Sequence, residues 1–184
     1  MTNKHKKILS FSHNESTIIP ELFIFKGTKN MQTAVRKIHF CYGHRVMNHE
    51  SKCATLHGHN GIVWVHSTPT KGLDQLGRVI DFSVLKEKIG GWIDQNWDHT
   101  MILFKDDLKT LDLIKQAPSY KLPYIMDKNP TAENLAHHLL YDICPQLLKG
   151  TGVIIHKITF WETENCYAEQ ELNPNDLTVI EMYK

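Results

Sequence analysis

The sequence predicts an α+β domain, a four-stranded antiparallel sheet with two helices on one of its faces. Two strand-like segments come first, two segments of helical periodicity follow, and two more strand-like segments come after them. The order β-β-α-α-β-β describes two hairpins separated by helices, and strands within a hairpin pair antiparallel. The helices are therefore expected to cover a single face of one sheet.

The first hairpin is predicted from two segments of strand character. Residues 33–40 are extended in character, and residues 57–67 are rich in β-branched and aromatic side chains. A polar loop from residue 45 to about residue 55 joins them. Residues 1–30 show no clear hydrophobic period, so we expect an N-terminal extension there and a single domain over residues 31–184.

Helical patterns occupy the middle of the chain. Residues 79–93 have the character of a short strand end running into a helix, with apolar residues recurring at helical spacing. The second helix is predicted to begin after Thr131, a natural N-cap, with Glu133 favourably placed in the positive first turn. It is expected to end before Gly150.

The second hairpin is predicted from residues 152–162 and 166–171. Counting back by two from Glu162 gives the residues of one strand face, Phe160, Ile158, His156 and Ile154. Glu162 thus lies on a largely apolar face, and a buried carboxylate needs a partner. That partner is either a lysine or arginine of the fold or the amidine-like edge of a heterocycle such as guanine or pterin, which offers two parallel donors.

Composition excludes several classes of protein. The chain has 184 residues, of which 41% are hydrophobic and 22% charged, as in a soluble globular domain. Its net charge of +1 supplies no field that would recruit nucleic acid or an anionic membrane. No apolar stretch approaches the length of a membrane span, and the four cysteines form no Cys-x-x-Cys pair. We therefore expect a cytoplasmic protein with free thiols and neither a nucleic-acid nor a membrane partner.

A cluster of histidines points to metal chemistry. The chain has 12 histidines, and His57 and His59 are two apart on a predicted strand, so both imidazoles point to one face. His44, on the preceding strand, would complete a set of three, the number with which proteins hold a catalytic zinc. The alternative is a polar strand start with solvated histidines.

Two further segments have the residue types of an acid–base relay. Cys53 lies in the loop four residues before His57, where a thiol beside a bound dication can be held as thiolate. Asp98 and His99 form a carboxylate–imidazole pair that could complete a relay if folding brings them near the thiol. The alternatives are a small buried loop cysteine and an ordinary loop dipeptide.

Together these segments resemble the 6-pyruvoyl-tetrahydropterin synthase family, over about residues 33–167. The matching segments, in chain order, are Gly43-His44-Arg45, residues 53–60, residues 79–86, Trp97-Asp98-His99, residues 129–135 and Glu162-Thr163. Three residues separate Cys53 from His57, which resembles the branch that makes 6-carboxy-tetrahydropterin for queuosine biosynthesis. The segment from Lys105 to Lys128 is long compared with the family pattern.

The resemblance implies a role for each candidate residue. Zn²⁺ would be held by His44, His57 and His59. A catalytic triad would consist of Cys53, Asp98 and His99. The pterin edge would be bound by Glu162, Thr131 and Glu133. The family also implies a tunnelling-type fold in which strands of neighbouring subunits join into a barrel, as a homo-oligomeric trimer or hexamer.

The implied reaction converts 7,8-dihydroneopterin triphosphate to 6-carboxy-5,6,7,8-tetrahydropterin, acetaldehyde and triphosphate, which is carbon–carbon lyase chemistry. Two other enzymatic functions stay open, synthesis of 6-pyruvoyl-tetrahydropterin and processing of dihydroneopterin by a paralogue. Two alternatives from other classes are a non-catalytic zinc and pterin binding module and a generic three-histidine metallohydrolase.

Overall fold

A single six-stranded sheet organises the computed structural model, which describes residues 31–119 and 121–184. Its strands are β1 (Ala34–His44), β2 (His57–Pro69), β3 (Thr100–Phe104), β4 (Tyr124–Met126), β5 (Val153–Thr163) and β6 (Cys166–Glu171). Their order across the sheet is β4-β3-β1-β2-β5-β6. The expected N-terminal extension, residues 1–30, lies outside the described residues.

The four predicted strands are confirmed, but the prediction of a purely antiparallel four-stranded sheet is wrong. β1, β2, β5 and β6 pair antiparallel in that order, whereas β3 and β4 add a parallel edge beside β1. The two additional strands have only five and three residues. Strands this short carry little periodic pattern, and parallel pairing joins segments that are distant in sequence.

Two helical segments were predicted and both are present. Each contains a π-helical turn, and the described helices are α1 (Phe82–Leu85), a π-turn (Lys86–Gly90), α2 (Gly91–Asn96), α3 (Leu108–Gln116), α4 (Ala132–His137), a π-turn (His138–Ile143), α5 (Cys144–Leu148) and α6 (Leu177–Met182). Thr131 caps α4 by accepting a hydrogen bond from the Asn134 N–H, as its sequence position predicted. Among these helices none is long and apolar enough to cross a bilayer.

The core lies between one face of the sheet and the two predicted helical segments. Fully buried side chains from both layers meet there, namely Val63, Val65, Leu85, Ile89, Trp97, Leu135, Leu139, Ile158 and Phe160. The neighbouring strand positions Lys37, His39 and Trp64 are exposed. This alternation confirms that the helices cover one face of the sheet.

A β-bulge interrupts the predicted face of β5. Glu162, Phe160 and Ile158 continue the two-residue alternation, but the pairing with β2 shifts by one residue between His66 and Ser67. The bulge places the His156 ring 6.1 Å from the His66 ring. The expectation that His156 shares the face of Glu162 is therefore wrong.

Removing the side chain of Ile102 is expected to show that β3 is part of the core. Ile102 is 0% exposed, so Ile102→Ala should lower the free energy of unfolding by about 3 kcal/mol through lost burial and a residual cavity. Ile125 on β4 is 46% exposed and provides a matched control, for which Ile125→Ala should cost less than about 1 kcal/mol. Urea unfolding measures both, and equal small losses would contradict the packing of β3.

Candidate active site

Three histidines meet at one end of the β1–β2 hairpin. The strand register puts His44 directly opposite His57, and His59 lies two residues further along the same face of β2. The residue between the two β2 histidines is Gly58, where a Cβ would stand only 3.1 Å from the Tyr42 carbonyl oxygen. Glycine thus allows the two strands to approach closely beneath the imidazoles.

The hydrogen bonds of these imidazoles fix their tautomers. His44 Nδ1–H donates to the Pro130 carbonyl at 2.7 Å, and His57 Nδ1–H donates to the Thr55 carbonyl at 2.6 Å. Because a carbonyl only accepts, each Nε2 of the neutral rings carries a lone pair, and these two atoms are 3.0 Å apart. His59 Nε2 is buried without a hydrogen-bond partner. A divalent cation would satisfy all three nitrogens. Three convergent imidazole nitrogens of this kind are expected of a metal site.

Burial favours the neutral, metal-binding form of the His44 and His59 imidazoles. His44 is 1% exposed, and burial lowers its pKa from 6.5 to about 4. Burial also lowers the pKa of His59. The lowered pKa values favour the neutral form of these two rings, and the side chains of His44, His57 and His59 could hold a metal ion.

Glu162 lies beside the three histidines. Its Oε1 is 3.3 Å from His44 Nε2 and 3.7 Å from His59 Nε2. The Tyr42 hydroxyl donates a hydrogen bond to the same oxygen at 3.4 Å. Burial raises the pKa of Tyr42, and the Glu162 carboxylate raises it further, so the phenol stays protonated and remains a donor. Tyr42 was not predicted as a site residue. The signal that could have found it is its position two residues before His44, on the same face of β1.

A cavity of about 210 Å³ adjoins His44. The predicted residues that line it are His44, Cys53, Thr131, Glu133 and Glu162. Cys53 is half-buried and lies on a short 3₁₀ turn, Lys52–Ala54. One predicted metal ligand, the candidate thiol and the three predicted pterin contacts therefore line the same cavity. Sequence reasoning missed five further lining residues, Val46, His49, Ala132, Cys166 and Tyr167, of which the last two lie at the start of β6.

Asp98 and His99 are placed elsewhere. His99 lines a second cavity, of about 610 Å³, together with Cys41 and Lys121, and His57 and His59 line this cavity as well. The Asp98 carboxylate accepts a hydrogen bond from the Cys41 N–H at 2.7 Å and another from His99 Nδ1 at 2.8 Å. The pair is thus assembled, but within one chain it does not share the cavity of Cys53.

The site combines three histidines that could hold a metal ion with a thiol and carboxylates around a small polar cavity, an arrangement suited to metal-dependent acid–base chemistry. The sequence model of the 6-pyruvoyl tetrahydropterin synthase family matches residues 33–173. The chain belongs to this family, which confirms the resemblance found in its motifs.

Relatives and solved structures agree with the family. A protein of Rickettsia felis named 6-carboxy-5,6,7,8-tetrahydropterin synthase is 40% identical over 139 residues, 76% of this chain and 99% of the relative. A Rickettsia bellii protein of the same name is 37% identical over the same shares. A crystal structure of an uncharacterized protein from Wolinella succinogenes has a TM-score of 0.66 at 27% identity, covering 78% of this chain and 99% of that one. A 6-pyruvoyltetrahydropterin synthase structure from Plasmodium vivax shares the fold, with a TM-score of 0.56 at 22% identity over 77% of this chain and 99% of that one.

Proposed function

We propose that this protein is a zinc-dependent 6-carboxy-5,6,7,8-tetrahydropterin synthase of queuosine biosynthesis, a carbon–carbon lyase. The observation that carries the proposal is the convergence of three imidazole nitrogens beside the cavity of Cys53 and Glu162. The names of the Rickettsia relatives support this product. The substrate would be 7,8-dihydroneopterin triphosphate, and acetaldehyde and triphosphate would be the other products.

In the proposed site, His44, His57 and His59 hold Zn²⁺. When bound, zinc supplies Lewis acidity toward side-chain oxygens of the substrate and makes the neighbouring C–H groups more acidic. The Cys53 thiolate then removes and delivers protons at the substrate side chain.

Glu162 anchors the pterin, because two carboxylate oxygens match two parallel N–H donors. Thr131 and Glu133 line the same cavity and complete the pterin contacts. Such a redistribution of hydrogens within one substrate needs a base, an acid and a metal, and it needs no redox cofactor.

The proposal includes a homo-oligomer, a trimer or hexamer, whose subunits share active sites. Cys53 and His99 line different cavities of one chain, so the relay is completed if His99 of the partner subunit reaches Cys53. β4 and β6 form the two edges of the sheet, and joining such edges between subunits would remove unpaired strand borders. We place this activity in one domain, residues 31–184, and in the cytoplasm, where the four free cysteines stay reduced.

The proposal is tested by incubating zinc-loaded protein with 7,8-dihydroneopterin triphosphate and identifying the products by mass spectrometry. Carboxy-tetrahydropterin with acetaldehyde is the expected result. A product that retains the three-carbon side chain would instead assign the pyruvoyl reaction. Pterin binding without turnover by freshly loaded protein would assign a binding module and contradict the enzymatic proposal.

Glu162→Gln is expected to weaken pterin binding while the metal stays bound. Losing one charge-assisted hydrogen bond of about 1.5–3 kcal/mol should raise the Kd for a pterin about 10- to 100-fold. Isothermal titration with a pterin and metal analysis give the two readouts. Glu164→Gln, on the exposed turn before β6, is the matched control and should change neither. Loss of the metal in Glu162→Gln would show that Glu162 is a metal ligand and contradict its role as the anchor.

A further inference from the structure

The turn that carries Asp98 and His99 has an uncommon backbone conformation. His99 has a φ of +54°, in the left-handed region that is unfavourable for residues other than glycine. Its N–H donates to the Cys41 carbonyl at 2.6 Å. Such a conformation persists only where neighbouring contacts hold it, and it commonly occurs at functional sites.

The same contacts orient the two side chains. Asp98 is fixed to the β1 backbone through the Cys41 N–H, and its second oxygen holds His99 Nδ1. The His99 side chain is 77% exposed, so its Nε2 is left for a group in the cavity. The direction of the imidazole therefore depends on the backbone of this turn.

Lys121 reaches this turn from the segment between α3 and β4. Its Nζ donates to the Asp98 carbonyl at 2.8 Å and also to the Asp94 carbonyl in α2. Carbonyls at a helix C-terminus lack partners within the helix and carry partial negative charge, so an ammonium group there is stabilising. Burial by itself would raise the pKa of Asp98, but the Cys41 N–H, His99 and the Lys121 charge together lower it.

The segment that supplies Lys121 is also a wall of the cavity. It is part of the stretch from Lys105 to Lys128, which contains α3 and β4. Ile114, Ser119 and Pro123 from this stretch line the same cavity as His99. The ammonium thus connects this stretch to the backbone of the candidate relay.

We propose that Lys121 is a positioning residue, which holds the Asp98–His99 turn so that the His99 imidazole faces the cavity. The inference rests on the proposed function, in which His99 returns a proton to the substrate. In this role Lys121 acts through the turn, because two of its three N–H donors are directed at the Asp98 and Asp94 carbonyls.

The test compares Lys121→Met, Lys121→Arg and the control Lys105→Met. Lys105 lies on the same long segment but pairs with Asp127 on the surface. A small misplacement of a catalytic group strongly lowers the rate of the chemical step. Lys121→Met should therefore lower kcat about 10- to 30-fold and change KM less than about 2-fold. Lys121→Arg should recover most of kcat, since a guanidinium can donate to the same two carbonyls. Lys105→Met should match the unaltered protein.

A second readout is independent of turnover. Amide hydrogen exchange at His99 should become about 10-fold faster in Lys121→Met and stay unchanged in Lys105→Met, because the N–H bond to Cys41 opens more often. Unchanged kcat, or a raised KM with unchanged kcat, would overturn the positioning role while leaving the proposed function intact. If the unaltered protein shows no turnover, the proposed function fails by itself, and unchanged exchange would separately overturn the positioning of the turn.

Discussion

Cys53→Ala is expected to lower kcat/KM by about 10³-fold, because proton transfer by a positioned group contributes roughly 10²- to 10⁴-fold to the rate. Zinc content should not change, since the three nitrogens that could hold the metal belong to His44, His57 and His59. Steady-state kinetics by product mass spectrometry and metal analysis on the same preparation measure the two quantities. The combination of lost turnover and retained metal would assign the thiol to chemistry rather than to the architecture of the site.

Cys166 provides the matched control, because its thiol lines the same cavity. Cys166→Ala should change kcat/KM less than about 5-fold if general acid–base work belongs to Cys53. Equal losses in both variants, or full activity in Cys53→Ala, would contradict the assignment.

Mixed oligomers refolded from Cys53→Ala and His99→Ala chains should recover activity in a fraction of their sites, and no recovery would contradict the shared site.

His57→Ala is expected to abolish stoichiometric metal binding and turnover together. Changes to groups that only support a metal ligand weaken metal affinity 10- to 100-fold, so removal of a ligand should weaken it by more than about 10²-fold. The loss leaves His44 Nε2 and His59 Nε2 as two donors, which is fewer than a catalytic zinc site uses. Metal analysis after gel filtration, and titration with a chromogenic chelator, measure the change.

His39→Ala is the control for a general effect of losing a histidine, because His39 is exposed on the opposite face of β1. It should bind one metal per chain and turn over normally. In the unaltered protein, chelation should remove activity and zinc should restore it. Retention of one metal per chain by His57→Ala would exclude this imidazole from the ligand set.

Much of the fold could be predicted because its pattern is local. Extended, β-branched and aromatic character predicted β1 and β2, helical spacing predicted the first helical segment, and the Thr131 cap predicted the start of the second. β3 and β4 were missed, although the apolar run of residues 100–104 is a weak strand signal. Their parallel pairing with β1 depends on where the intervening segments cross, and this is absent from any local pattern.

The candidate site, like the fold, could be predicted only in part from the sequence. His57 and His59 lie on one strand face because they are two residues apart, and the hairpin register brings His44 opposite His57. The place of Asp98 and His99 could not be predicted from their sequence. They follow α2 and attach to the Cys41 backbone, which leads them to a different cavity from that of Cys53.

By itself, the sequence determined the β-β-α-α-β-β order, the imidazole set His44, His57 and His59, and the family. Each of these depends on spacing along the chain. Only the tertiary structure decided the surroundings of Glu162, whose Oε1 lies 3.3 Å from His44 Nε2 and accepts a hydrogen bond from the Tyr42 hydroxyl. It also decided the β-bulge that places His156 beside His66, and the hydrogen bond from Lys121 Nζ to the Asp98 carbonyl. These features join segments far apart in sequence, and the packing of the whole domain, rather than any local period, sets their distances.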